Sequence, residues 1–289
     1  MEDAKVFIRE NGEADATGVA GSIPWWSFTK TALSIALLRL WECDKINLDE
    51  AVEGKPFTPA QLLRHEAGLP DYGSLPAYHA DVEAGRPPWS VDDLLNAVEA
   101  DRLRYEPGQG WAYSSIGYRE VAQLIERASN LPLSDALSDL VFTPAELPTA
   151  RLAVTPADLE DVQMGGVTGY HPAWVYHGLV VGTAVDAARL LRRLLTGDLF
   201  EGSALSRMLE RRPLPQFRSE LHPDPAYGLG LMLRAMNPLA HPIGHSGSGP
   251  GSRIAVYAQQ GRTCVVWATV ASSTIPEAEV FRALENGGF

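Results

Sequence analysis

The chain has 289 residues, 45% of them hydrophobic, which suits one large domain or two modest ones with a full core. Its 36 acidic residues against 24 basic ones leave a net charge of −12. That excludes the basic face needed by nucleic-acid and anionic-membrane binders.

The first residues, "MEDAKVFIRENGEADATG", carry charge where a signal peptide would carry an apolar core. No later apolar run is long enough to span a bilayer, so the expectation is a cytoplasmic protein with no membrane partner. Within this stretch Asn11-Gly12 is a strong two-residue turn signal and predicts a β-hairpin. Pro24 then precedes "SFTKTALSIALLRL", a helix apolar on nearly every side that nonetheless carries Lys30 one turn in. Lysine is rarely buried unless paired. It is also the scarcer base here: 20 of the 24 basic residues are Arg, leaving Lys5, Lys30, Lys45 and Lys55.

Ser27 lies three residues before Lys30, so hydroxyl and amine share a helix face. Ser27 also stands at the helix N-terminus, where free N–H groups favour a developing anion. A serine hydroxyl becomes a nucleophile when a neighbouring base takes its proton, and an amine in apolar surroundings has its neutral form favoured. The competing reading is a serine N-cap with a snorkelling lysine.

Residues 54–224 read as helical segments broken by Pro and Gly, with N-cap signals at Thr58-Pro59, Ser90 and Thr183 and stops at Gly68 and Gly197. "YEPGQGWAYSSIGY" sets Tyr113 and Ser115 in a Gly-rich loop before one of these helices. Strand character returns at "YGLGLML", "SRIAVYAQ" and "TCVVWATVAS", and "PEAEVFRALEN" predicts a terminal helix. The order implies an α+β fold, an α/β sandwich. An antiparallel sheet domain of residues 1–53 and 225–289 is flanked by helices, and an all-helical domain, 54–224, is inserted. Cys43 and Cys264 imply no disulfide framework, and their apolar neighbours predict inert buried thiols.

"GHSGSGPGSRIAVY" puts His245, Ser246 and Gly247 at the entry to a strand. Its glycines do not make a phosphate loop, because a strand follows, Pro250 removes a donor and no Lys follows. His241 and His245 are separated by Pro242 and Gly244, and "HPAWVYH" spaces His171 and His177 unlike a known site, so no metal is expected. Trp25, Trp26, Trp111, Trp174 and Tyr176 divide between core and pocket wall, with Trp111 and Tyr176 placed near substrate.

Taken with these blocks, "SFTKTALSIALLRLWECDKINLDEAV", "FTPAQLLRHEAGLPDY", "YHGLVVGTAVDAARLLRRLLTG" and "YGLGLML", in that order, resemble the serine β-lactamase and penicillin-binding-protein superfamily. The resemblance is nearest to its class C branch, with family VIII esterases and D-aminopeptidases. It implies an acyl-enzyme hydrolase of a small ester or amide, working without a cofactor as a monomer or homodimer. Ser27 would be the nucleophile, Lys30 its proton acceptor or electrostatic partner, and Tyr113 a general base and then acid. The Ser27 and Ser248 backbone N–H groups would form an oxyanion hole. His245, Ser246 and Gly247 would match the third motif, with Gly247 admitting substrate backbone to the strand edge. Ser115 stands where the family's Tyr-x-Asn motif ends in Asn. A hydroxyl offers less to an amide carbonyl than a carboxamide does, which shifts the expectation from β-lactams towards esters. The alternatives are a β-lactamase or D-Ala-D-Ala carboxypeptidase/D-aminopeptidase, and a non-catalytic binding protein that keeps the fold. The short N-terminal stretch further implies a sheet with one face covered by the C-terminal helix alone.

Overall fold

The structure is a computed structural model that describes residues 2–289. It opens with the hairpin of β1 (Ala4–Ile8) and β2 (Ala14–Gly18) and a short β3 (Ile23–Pro24), then the long α1 (Thr29–Glu42). The helical stretch holds α2 (Pro59–Leu63), α3 (Pro76–Glu83), α4 (Val91–Ala97), α5 (Ser115–Ser129) and α6 (Leu133–Leu137). There follow β4 (Arg151–Ala153), β5 (Leu179–Gly182), α7 (Ala184–Thr196), α8 (Ala204–Met208), β6 (Arg212–Pro213), β7 (Pro225–Tyr227) and β8 (Met232–Arg234). The chain closes with β9 (Ile243–Gly249), β10 (Ser252–Gln259), β11 (Arg262–Thr269) and α9 (Pro276–Asn286).

Eight strands form one antiparallel sheet in the order β2-β1-β11-β10-β9-β8-β7-β6, and β3-β5-β4 form a second, small one. Strand alternation divides the core in two. Val6, Ile8, Ile254, Val256, Val265 and Trp267 face α1 and α7. Phe7, Ala255, Tyr257, Cys264 and Val266 face α9, whose Val280, Ala283 and Leu284 are the helical residues in that cluster. Strands β10 and β11 read as continuous apolar runs because both faces are covered. The antiparallel sheet flanked by helices is the α+β architecture expected.

Several local expectations change. The hairpin turn is longer than two residues: Arg9 and Glu13 still pair, Arg9 N donating to Glu13 O at 2.8 Å, so Gly12 supplies a left-handed residue in a three-residue loop. "YGLGLML" is two strands, β7 and β8, joined by a turn at Gly228–Leu231. Gly230 adopts a positive φ of 80° there, and a Cβ on it would sit 2.0 Å from Ser34 Oγ, so the turn presses onto α1. Gly68 is not a helix stop. The helix ends at Leu63, and Gly68 takes its positive φ in the loop beyond, where its carbonyl accepts from Arg104 N. Cys43 is exposed rather than buried, because α1 ends just before it.

The caps at Thr58, Ser90 and Thr183 form as expected, and Gly197 ends α7 in the left-handed conformation. Yet α7 falls inside the stretch 54–224 expected as an all-helical insertion, and it packs on β1, β10 and β11. Its Arg192 donates to the carbonyls of Arg9, Glu10 and Gly261, gripping two hairpin loops of the sheet. Strands β6 and β7 likewise extend the sheet across or beside the expected boundary. Chain order alone does not say which layer an amphipathic helix joins.

Candidate active site

Ser27 stands one residue earlier in the architecture than its helical spacing implied. Helix α1 starts at Thr29, and Ser27 is the middle of a tight 3₁₀ turn, Trp26–Phe28, closed by Phe28 N donating to Trp25 O. Trp26 takes a φ of +44°, a costly conformation for a bulky residue that persists only when its surroundings hold it. They do: its indole N–H donates to Ser252 Oγ at 3.0 Å, and its ring occupies the space that a side chain on Gly249 would fill. This lock leaves Ser27 half-buried and lining a cleft of about 570 Å³.

Lys30 is 0% exposed. Its Nζ lies 3.5 Å from Ser27 Oγ, 3.4 Å from Ser115 Oγ and 3.1 Å from His177 Nε2. The rings of Tyr113 and Tyr118 stand 4.8 and 5.5 Å away. Burial lowers its pKa from 10.5 to about 7, against the opposing pull of the Asp71 carboxylate. The snorkelling alternative is therefore closed: this amine is inside, and near neutrality a large share of it is unprotonated.

Tyr113 and Ser115 are carried by the head of α5. Ser114 is its N-cap, accepting from Gly117 N, so Ser115 is the first helical residue rather than part of the preceding loop. Asp71 Oδ1 accepts from Ser115 N at 2.6 Å and Oδ2 from Gly73 N, which ties the "GLPDY" loop to the helix start. Burial raises the Tyr113 pKa far above that of a free phenol, with only partial relief from Ser27. At ordinary pH Tyr113 is a proton donor. His65 packs at a tilt against Tyr113, ring centroids 4.4 Å apart, and its Nδ1 accepts from Ser114 N.

On β9 the side chains alternate. His245 is buried and does not line the cleft, its Nδ1–H donating to Ser246 O at 2.6 Å and its Nε2 accepting from the Tyr227 hydroxyl at 2.9 Å. Burial, then the Lys30 charge, lower its pKa to about 4, so it is a neutral ring. Ser246 departs from expectation. Its hydroxyl turns to the opposite face, donating to Glu277 at 2.5 Å beside Tyr257, because one step along a strand reverses the side chain. Ser248 lines the cleft.

Gly247 is needed for a different reason from the one anticipated. A Cβ there would lie 2.7 Å from Ser27 N and 2.9 Å from Trp25 O, so its bareness lets the Ser27 turn abut the strand. Gly247→Ala should cost roughly 1–3 kcal/mol, as overpacking does. It should also reduce kcat/KM on the order of a hundredfold, the penalty of a displacement near 1 Å. Urea unfolding and steady-state rates measure the two effects, and a wild-type rate would disprove the close-approach role.

Trp111 and Tyr176 do not line the cleft. Trp111 lines a separate apolar pocket with Phe217 and Tyr227, a pocket that shares only the Tyr113 wall with the cleft. Tyr176 donates its hydroxyl to Trp89 O and packs on Tyr72 and Trp174. Asp71 and His177 are among the cleft residues that sequence reasoning passed over. Asp71 lay inside the quoted "GLPDY" block; no local signal marks His177 as a partner of Lys30. Among the described residues no group of three or more His, Cys, Asp or Glu is placed to hold a metal.

Comparison with known proteins finds relatives over most of the chain. Penicillin-binding protein 4* of Bacillus subtilis (strain 168) is 25% identical over 297 residues, covering 89% of this chain and 62% of that protein. D-aminopeptidase of Brucella canis is 29% identical over 106 residues, covering 36% of this chain and 20% of that one. The chain therefore spans less than two thirds of the length of these curated relatives. A D-stereospecific amidohydrolase from Streptomyces sp. superimposes with a TM-score of 0.83 at 21% identity, covering 100% of this chain and 94% of that one. Residues 22–285 match the Beta-lactamase family, a span that contains the Ser27 turn, the head of α5 and β9, and on that match the chain belongs to the Beta-lactamase family.

Proposed function

We propose that the chain is a serine hydrolase that cleaves a small ester or amide through an acyl-enzyme on Ser27. The observation that carries this reading is the buried Lys30 amine, its proton affinity lowered to near neutrality, facing Ser27 Oγ. Ser27 Oγ attacks the carbonyl carbon as its proton passes to Lys30 Nζ. The resting distance is long, as catalytic hydrogen bonds often are before substrate binds. The oxyanion is received by the N–H groups of Ser27 and Ser248, which the bare Gly247 brings together; such donors contribute about 3–4 kcal/mol each. Tyr113, held as a phenol, gives its proton to the departing alkoxide or amine and recovers one from Lys30. Water then attacks the acyl group and frees Ser27. Lys30 rather than Tyr113 is the base, because burial disfavours a phenolate and favours a free amine alike. Ser115 stands beside Tyr113 in the cleft wall.

Within this reading a D-amino acid amide or peptide is favoured by one observation. Among the described residues Asp71 is the only carboxylate lining the cleft, and it offers a counter-charge to a substrate ammonium. The names of the Brucella and Streptomyces relatives point the same way.

Intact mass after treatment with a fluorophosphonate tests the hydrolase reading: a single adduct mapping to Ser27 is expected, and an unmodified chain would argue for a binding protein. Substrate class is tested by comparing kcat/KM. Short-chain p-nitrophenyl esters should be cleaved faster than nitrocefin, because the Ser115 hydroxyl cannot supply both hydrogen bonds of a carboxamide. Ser115→Asn should move the ratio towards the lactam. A wild-type preference for nitrocefin would reverse the assignment.

A further inference from the structure

His177 reaches the Lys30 amine from 147 residues away in sequence, and at 3.1 Å it is nearer than either serine hydroxyl. Among the described residues no carboxylate lies within 4 Å of that amine to form an ion pair. The placement is built. His177 precedes Gly178, whose φ of +94° turns the chain into β5, and β5 pairs through Val181 and Gly182 with Pro24 and Ile23 of β3 just upstream of Ser27. Thr29 Oγ1 accepts from Val180 N, so the same turn is fastened to the first residue of α1.

The ring is 3% exposed and its Nδ1 has no partner among the described residues. Burial, then the charge of Lys30, holds it neutral. A neutral imidazole carries one N–H. Facing an ammonium, Nε2 accepts and the hydrogen sits on Nδ1; facing a free amine, Nε2–H can donate to the lone pair.

We propose that His177 is a positioning residue that aims the Lys30 amine at Ser27 and accepts a hydrogen bond from its charged form, at a shorter distance than the Ser115 hydroxyl offers. Its kinetic consequence rests on the hydrolase reading above, but its effect on Lys30 does not. The groups facing the amine are Ser27 before α1, Tyr113, Ser115 and Tyr118 at the head of α5, and Asp71 from the preceding loop, with His65 and His245 acting at longer range. All of these remain when His177 is changed, so a shift on changing it reports the imidazole itself.

The experiment uses the full chain labelled with [ε-13C]lysine. Four lysines give four resonances, and the one lost in Lys30→Met is Lys30. In wild type it should titrate near pH 7. His177→Leu fills the space but accepts nothing, so the ammonium loses a partner and the midpoint should fall by about one unit. His177→Gln puts an amide oxygen near the position of Nε2, so the midpoint should stay within a few tenths of wild type. The acidic limb of kcat/KM should follow the same shifts, whereas a residue that only packs would lower rate or stability without moving it. His177→Met replaces the Leu variant if that does not fold. A Lys30 midpoint unchanged in the Leu or Met variant overturns the inference, and so does a Gln midpoint displaced as far as theirs. Those results with an active wild type would leave the hydrolase reading standing. An inactive wild type whose Lys30 still shifts would do the reverse.

Discussion

Ser27→Ala is expected to abolish both turnover and covalent labelling, lowering kcat by about five orders of magnitude or more, the scale seen when a serine nucleophile is removed. The fold should survive. The lost hydroxyl meets Lys30 at 3.5 Å and the Tyr113 hydroxyl, whereas the Trp26 indole and the Phe28-to-Trp25 hydrogen bond keep the turn in place. Circular dichroism and unfolding midpoints establish folding, and hydrolysis of p-nitrophenyl esters reads activity. A folded Ser27→Ala protein that works at the wild-type rate would remove Ser27 from the chemistry and, with it, the acyl-enzyme.

Lys30→Arg should lose activity nearly as fully as Lys30→Ala, by roughly two to four orders of magnitude, the range for loss of a general base. Arginine is larger, planar and protonated at every ordinary pH. The amine it would replace is enclosed between Ser27, Ser115, His177 and two tyrosine rings, so a guanidinium finds no room and, among the described residues, no carboxylate at ion-pair distance from that amine. Near-normal turnover in a folded Lys30→Arg protein would show that the amine takes no part. With Lys30 as base, kcat/KM should rise through an acidic limb centred near pH 7 and hold above it.

The same lysine should be a stability liability. Its pKa is lower folded than unfolded, so below about pH 7 the unfolded chain already gains a favourable charge that the folded chain holds at a cost. Between about pH 7 and 10.5 the unfolded state binds more proton, and stability climbs as pH rises. The full difference is on the order of 5 kcal/mol. Lys30→Met should therefore be more stable than wild type at pH 7, with a gap that narrows towards pH 10 in urea unfolding.

Local pattern determined a good deal of this protein. The spacing of Ser27 and Lys30, the caps at Thr58, Ser90 and Thr183, the apolar runs of β10 and β11 and the amphipathic α7 are all short-range features. Helical and strand periods act within a few residues, so the sequence displays them directly. The ordered blocks carried the family and the α+β fold. Burial of Lys30 was one of two readings the apolar helix left open, the other being a snorkelling side chain, and the tertiary packing decided it.

What only the tertiary structure decided depends on contacts between distant segments and on one-residue register. Ser246 was expected in the cleft, but the pairing of β9 with β10 sends it to Glu277 on the other face. Gly247 is explained by the backbone of Ser27, a close approach that no motif reveals. Trp111 and Tyr176 are aromatic and near site residues in sequence, yet their rings are claimed by other walls. His177 lies in a loop with no recognisable spacing. It becomes a partner of Lys30 because β5 pairs with β3, and a strand pairing between segments so far apart is fixed by the whole core rather than by its neighbours in the chain.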